Sequence, residues 1–198
     1  MSVSGGPNIV EDGLVLLLDV GNSRSYVSGS LTWYDISGNN KHFTLGTNIR
    51  YSTDNGGGLI TSGGRMDCAD AITTVTTGSV YMWSRTLDSG SGVLFMRSGS
   101  FASGFVGAWQ NEGTFYGSVG TSYTIDTVPA TRIQANNRYF MLEASSINFS
   151  SWTDGMRIAN YPGLEYTSTI AVFAVYNRNL TQTERLQNFN AQRSRFGV

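Results

Sequence analysis

Hydrolysis of a glycosidic bond asks for two carboxylates on either side of it, one to protonate and one to act as base or nucleophile. On strands such groups stand an even number of residues apart, because alternate side chains share a face. The mid-chain apolar runs of this sequence carry one carboxylate, Glu143, with no acidic partner at even spacing. Glu143 therefore reads as a surface residue at a strand end. His42 is the only histidine, so a nucleophile triad or a two-histidine metal site would hang on it alone. It follows a turn, in Asn40-Lys41-His42-Phe43, and reads as an exposed loop residue. No glycine-rich loop ends in Lys and Ser or Thr, the pattern that cradles phosphates. No residue is singled out as catalytic, and the expectation is a protein that is not an enzyme.

Binding chemistry is better supplied. An exposed indole can stack on a sugar ring while neighbouring amides and carboxylates hold its hydroxyls. Trp109 with Gln110 and Asn111, and Trp152 with Asp154, have that make-up near loops. The competing reading is that these tryptophans cover the core, their ring nitrogens bonded to backbone. Trp33 and Trp83 read as core residues. Cys68 is the sole cysteine, so no intrachain disulfide forms, and it reads as a small buried thiol in a strand.

These residues must be held by something, and composition says what. The chain has 198 residues, 40% hydrophobic and only 14% charged, with 24 Gly and 3 Pro. That favours one large domain of strands joined by glycine turns. A net charge of −1 provides no field to draw in nucleic acid, and the basic residues are scattered. The run Leu14 to Leu18 is too short to span a membrane. Met1 to Pro7 lacks the basic region and apolar run of a signal peptide, so the expectation is synthesis in a cytoplasm without the usual route of export.

Strands are expected in Gly13–Val20, Thr32–Ile36, Phe43–Leu45, Leu59–Ile60, Ser79–Ser84, Gly92–Met96, Phe105–Trp109, Thr114–Val119, Tyr139–Ala144, Met156–Ile158 and Ile170–Tyr176. The first, a continuous apolar run, fits a strand buried on both faces. Even spacing without helical periods between strands points to a sandwich or a barrel. One helix is expected at the end, about 182–194. Thr181-Gln182-Thr183-Glu184 is a capping box, Leu186, Phe189 and Ala191 form an apolar stripe, and Arg193 and Arg195 suit its C-terminal end. The fold class is all-β with one short C-terminal α-helix. Residues 1–12 form an N-terminal arm and 13–198 a single domain.

Two stretches carry a resemblance. Gly13 to Asp19, Ser25-Tyr26 and Thr32 to Asn39 resemble the opening of laminin-G-like, concanavalin-A-like domains of tailed-bacteriophage virion proteins, and Ser4 to Val10 resembles the same group. Val175 to Thr181, Glu184, Asn188 to Asn190 and Arg195 to Gly197 resemble its closing strand, cap and helix. The likeness implies a two-sheet antiparallel jelly-roll sandwich of the concanavalin-A/laminin-G kind, with one sheet concave, and a place on the virion surface, as capsid decoration or fibre component, with other virion proteins as partners. A carbohydrate-binding module attaching the particle to glycans is the alternative, and the two can hold together. Relatives of this kind often bind Ca²⁺, for which Asp54, Asn55, Asp67 and Asp70 offer hard oxygen ligands; the other reading is ordinary turn chemistry. Family members place an acidic, aromatic-containing stretch where this chain has Met66 to Ile72, without an aromatic. The polar start, with Pro7, Asn8, Ile9 and Val10, is expected to dock on a partner subunit.

Overall fold

The computed structural model describes residues 8–86, 92–98, 104–108, 114–117, 122–133, 137–159 and 167–198. In chain order the strands are β1 (Leu14–Asp19), β2 (Thr32–Trp33), β3 (Phe43–Leu45), β4 (Ile49–Ser52), β5 (Gly58–Thr61), β6 (Met66–Cys68), β7 (Gly78–Thr86) and β8 (Gly92–Arg97). They continue as β9 (Phe105–Ala108), β10 (Phe115–Gly117), β11 (Ser122–Ile125), β12 (Val128–Pro129), β13 (Tyr139–Ile147), β14 (Met156–Ile158) and β15 (Ser168–Tyr176), followed by helix α1 (Gln182–Phe196). One sheet runs β12-β11-β13-β7-β15-β5-β4, with β1 also paired to β15; the other runs β10-β9-β8-β14-β6-β3-β2. Every pairing is antiparallel. This is the expected two-sheet sandwich with one C-terminal helix. Among the described residues no helix is long and apolar enough to cross a membrane.

The core between the sheets holds Leu16, Trp33, Phe43, Phe95, Phe140 and Phe173, with Phe173 of one sheet meeting Phe43 and Phe95 of the other. A second apolar cluster lies on the far side of the first sheet, under α1. There Trp83 stacks on Phe189 and Phe196 at 5.6 and 4.5 Å between ring centroids. The first sheet is thus covered on both faces. Strand β1 shows the consequence: Leu16 and Leu18 enter the core, while Leu14 and Leu17 pack towards the helix and are only half-buried.

Helix α1 begins as its sequence requires. The Thr181 hydroxyl accepts from the Glu184 amide and the Glu184 carboxylate accepts from the Thr181 amide. Its buried residues differ from the expected stripe: Asn188 and Phe196 are buried, Phe189 is half-buried and Leu186 is 42% exposed. The reason is a polar triangle. Asn188 Oδ1 accepts from the Val10 amide at 2.8 Å, Asn188 Nδ2 donates to the Tyr176 hydroxyl at 3.2 Å, and that hydroxyl donates to the Val10 carbonyl at 2.8 Å. Gln187 also donates to the Asn8 carbonyl at 2.8 Å. Of the expected docking arm, Asn8, Ile9 and Val10 therefore lie on the chain's own helix rather than reaching outward, with Val10 in the second cluster; Pro7 lies outside the described residues. The packing of the second cluster thus takes in Val10, ahead of β1.

Candidate functional site

Glu143 is not a surface residue. It sits mid-strand in β13 on the face under α1, 1% exposed, its Oε2 paired with Arg185 Nε of the helix at 2.5 Å. Thr124 on the neighbouring strand donates to the same oxygen at 3.4 Å. Burial pushes its carboxyl up to about 7, against the charge of Arg185 and the hydrogen bonds from Thr124 and Arg185. Its Oε1 is buried without a partner. A carboxyl sealed between a sheet and a helix meets no substrate, so its role is structural. His42 also departs from its reading: half-buried, its Nδ1 accepts from the Asp35 amide at 3.1 Å, and its ring meets Tyr34 edge-on.

The expected sugar platforms separate. Trp109, Gln110 and Asn111 lie outside the described residues. Trp152 is 0% exposed in the inter-sheet core, edge-on to Phe149 at 4.8 Å, so it offers no ring face to a ligand and that expectation is corrected. Asp154 beside it is exposed; its hydrogen bond from Arg97 at 2.6 Å, helped by the Thr153 hydroxyl, holds its carboxyl below the ordinary aspartate range. Trp33 and Trp83 are core residues, as read. Cys68 is a buried strand thiol whose ionisation burial pushes up to about 11.

The four oxygen-rich residues do not converge. Asp54 and Asn55 form a short 3₁₀ turn between β4 and β5 of the first sheet, whereas Asp67 lies on β6 of the second and Asp70 just beyond it. Asp67 is committed to Arg157 at 2.6 Å and Arg65 at 2.9 Å. Among the described residues no group of three or more His, Cys, Asp or Glu is placed to hold a metal. These residues do not fit a calcium site.

What the fold builds instead is an open cleft of ≈ 380 Å³ where the β2–β3 edge of one sheet meets the β4 edge of the other. The loop before β2 is tied down at its base. Ser25 Oγ donates to the Tyr34 carbonyl at 2.6 Å and accepts from the Asp19 amide at 3.0 Å, while the Asn22 carbonyl accepts from the Ser25 and Tyr26 amides. Gly29, at φ +88°, lets the loop turn back, and Ser30 Oγ closes it on the Thr32 carbonyl at 2.8 Å. Tyr26 is thereby set in one wall, 7% exposed, its ring 5.4 Å from that of Tyr51 and tilted by 45°. Burial raises the Tyr26 phenol's pKa, and a hydrogen bond from the Gly29 backbone opposes it.

Tyr51 is 36% exposed and Leu31 is 73% exposed; Val27 of the same loop is 61% exposed and Tyr34, just after β2, is 44% exposed. Ser28, Gly29 and Ser30 add hydroxyl and backbone groups to the wall. Arg50 also borders the cleft, but alternation along β4 sends its side chain to the face opposite Tyr51. The cleft thus offers aromatic and aliphatic surface beside neutral hydrogen-bonding groups. Sequence reasoning missed it because Tyr51 stands on a strand that was not foreseen; the available signal was Ile49 and Tyr51 alternating after Asn48. A second cleft, ≈ 350 Å³, opens between Ile125, Val128 and Phe140, with Arg132 and Arg138 at its border and Arg138 paired to Asp126 at 2.7 Å. Phe140 is 3% exposed there, so no aromatic face is on offer.

No protein-family model matches the sequence, and no curated protein does. Solved structures do match. A Trypanosoma rangeli sialidase in complex with the inhibitor DANA is 14% identical, at a TM-score of 0.58, over 96% of this chain and 34% of that one. The botulinum neurotoxin serotype D binding domain is 12% identical, at 0.58, over 93% and 53%. The binding domain of botulinum neurotoxin DC in complex with rat synaptotagmin II is 12% identical, at 0.59, over 92% and 52%. The likeness is one of fold. This chain spans about a third of the sialidase and about half of the neurotoxin domains.

Proposed function

We propose that this chain is a non-enzymatic saccharide-binding domain whose ligand lies in the cleft of Tyr26, Tyr51 and Leu31. The observation that carries the reading is the Tyr51 ring, presented at an open edge beside a loop of serine hydroxyls and backbone groups. A pyranose offers an apolar face for such a ring and hydroxyls for such a rim, and aromatic side chains serve well where one side is apolar and the other wet. Neither Glu143 nor His42 is available to act on a bound sugar, because both are engaged within the fold. Fold neighbours that are themselves a binding domain or a sialidase are compatible with this reading. The test is a glycan array with the purified domain, repeated with Tyr51→Ala. Specific binding that the variant loses supports the reading; binding that survives it, or no binding at all, defeats it.

We further infer that the domain sits on the surface of a tailed-phage particle, among capsid or fibre subunits; the resemblance of Gly13 to Asp19, Thr32 to Asn39 and Val175 to Thr181 to virion proteins supports this reading. A weakly charged surface suits packing against neighbours, since only 14% of residues are charged. Mass spectrometry and cryo-electron microscopy of purified particles test this second proposal. The chain missing from intact particles would overturn it.

A further inference from the structure

The outer face of the first sheet, the one that α1 covers, continues past the end of the helix, and there the strand register lines up one row of side chains. Tyr139 on β13 stands opposite Arg85 on β7, Arg85 opposite Thr169 on β15, Thr169 opposite Ile60 on β5, and Ile60 opposite Arg50 on β4. Paired residues share a face, and Tyr139 belongs to the cluster under the helix, so the whole row faces outward. The Arg85 guanidinium lies 5.4 Å from the centre of the Tyr139 ring. No acid among the described residues pairs with Arg85 or Arg50.

Polar groups without partners gather at the same place. Tyr139 is 2% exposed and Thr169 is 1% exposed, yet both hydroxyls are buried without a hydrogen bond, as is Arg85 Nε. Folded chains rarely leave such groups unmet. Gly58 lets β5 pack close against both residues: a β-carbon there would stand 2.8 Å from the Tyr139 hydroxyl and 2.4 Å from Thr169 Cγ2. The other charges near the ring are Asp54, exposed on its turn, and Arg195, already paired with Asp19 at 2.5 Å. Among the described residues, two guanidiniums without an acid partner against one exposed carboxylate leave the row cationic.

We propose that Arg85, Tyr139 and Thr169 form a site for an oxyanion, a carboxylate or sulfate carried by an acidic saccharide. The planar guanidinium supplies paired donors to such a group and the two hydroxyls supply the rest. The saccharide assignment rests on the proposed function, and β4 joins the two sites by sending Tyr51 to the cleft and Arg50 to the row.

The test begins without any sugar. Sodium sulfate is titrated into ¹⁵N-labelled protein at constant ionic strength against sodium chloride, and backbone amides are followed. Sulfate-specific shifts centred on Arg85, Thr169 and Tyr139 are expected, weakened at least tenfold by Arg85→Gln. Thr169→Val should weaken binding without loss of thermal stability, because it removes an unbonded hydroxyl, and so guards against an Arg85 variant that fails to fold. Equal shifts in chloride, or sulfate affinity unchanged in both variants, overturn the site. An acidic polysaccharide should then bind at least tenfold tighter than a neutral one, a preference lost in Arg85→Gln while neutral binding remains. Sulfate binding with no saccharide binding leaves the anion site standing and sinks the glycan reading. Polyglutamate competing as well as the acidic polysaccharide overturns the saccharide assignment.

Discussion

Tyr176 and Tyr51 are the same residue in opposite settings. Tyr176 is 0% exposed under α1, and its hydroxyl both accepts from Asn188 and donates to the Val10 carbonyl. Tyr51 is 36% exposed at the free edge strand β4, with its ring against Tyr26. Around Tyr176, the polar side chains of Asn188, Gln187, Arg185 and Glu143 are spent on joining the N-terminal segment, sheet and helix. Around Tyr51, serines and backbone groups of the 27–31 loop stay at the surface. The polar side chains around Tyr176 are thus part of the fold's own bonding, while Tyr51 and Ser28 stay exposed at the cleft. Substitutions should divide the same way: those under the helix should be felt in unfolding and those at the cleft in binding.

Trp83→Ala gives the largest expected effect. It removes the ring on which Phe189 and Phe196 stack, and a buried aromatic cut to alanine costs about 3–5 kcal/mol. Urea unfolding followed by circular dichroism should show the midpoint falling and α1 melting first. If Trp83→Ala left the midpoint within error, the helix-covered face would not be a second core.

Next comes the pH dependence of Glu143. Its carboxyl is raised from 4.5 in the unfolded chain to about 7 in the fold, so the folded state binds a proton more tightly. Its contribution is therefore full below about pH 4.5 and is lost as pH rises through about 7, the reverse of an ordinary paired carboxylate. The loss across that window amounts to at most about 3 kcal/mol. Unfolding at pH 5 and pH 8 should show this slope in the parent chain and a flatter one in Glu143→Gln. An equal slope in both would mean that Arg185 keeps the carboxylate as readily ionised as water does.

Asn188→Ala should cost about 2 kcal/mol, because it strands the Val10 amide and unties the Tyr176 hydroxyl. Faster amide exchange at Val10 than at core strands would report the loosened N-terminal segment. Unchanged exchange would show that Gln187 and the Tyr176–Val10 bond hold it without Asn188.

The two regions also differ in how far the sequence announced them. The capping box at Thr181 and Glu184 was legible because every partner lies within one turn. The sandwich was legible because apolar runs such as Ile170 to Tyr176 are cut by turn residues and carry no helical period. Glu143 was misread because its environment comes from Arg185 and from a helix that folds back over the sheet, which no local pattern encodes. Trp152 shows the same limit from the other side. It follows a polar turn, as an exposed residue would, yet Phe149 and the close approach of Gly104 enclose it; a β-carbon at Gly104 would stand 2.5 Å from its ring nitrogen. Loop position does not report exposure where a loop crosses the mouth of a sandwich.

Tyr51→Ala is expected to move stability least and function most. At an edge strand, with a third of its surface already in water, the ring should contribute under about 1 kcal/mol to folding. Its loss should nevertheless remove the stacking surface, and Leu31→Ala, at 73% exposure, should weaken binding with still less effect on the melt. The informative quantity is the ratio of the two effects. A variant that destabilises the domain and dulls binding in proportion would make Tyr51 a structural residue like Tyr176. A variant that melts with the parent while losing its saccharide would show that the open edge is kept apart from the fold's own bonding so that it can serve a ligand.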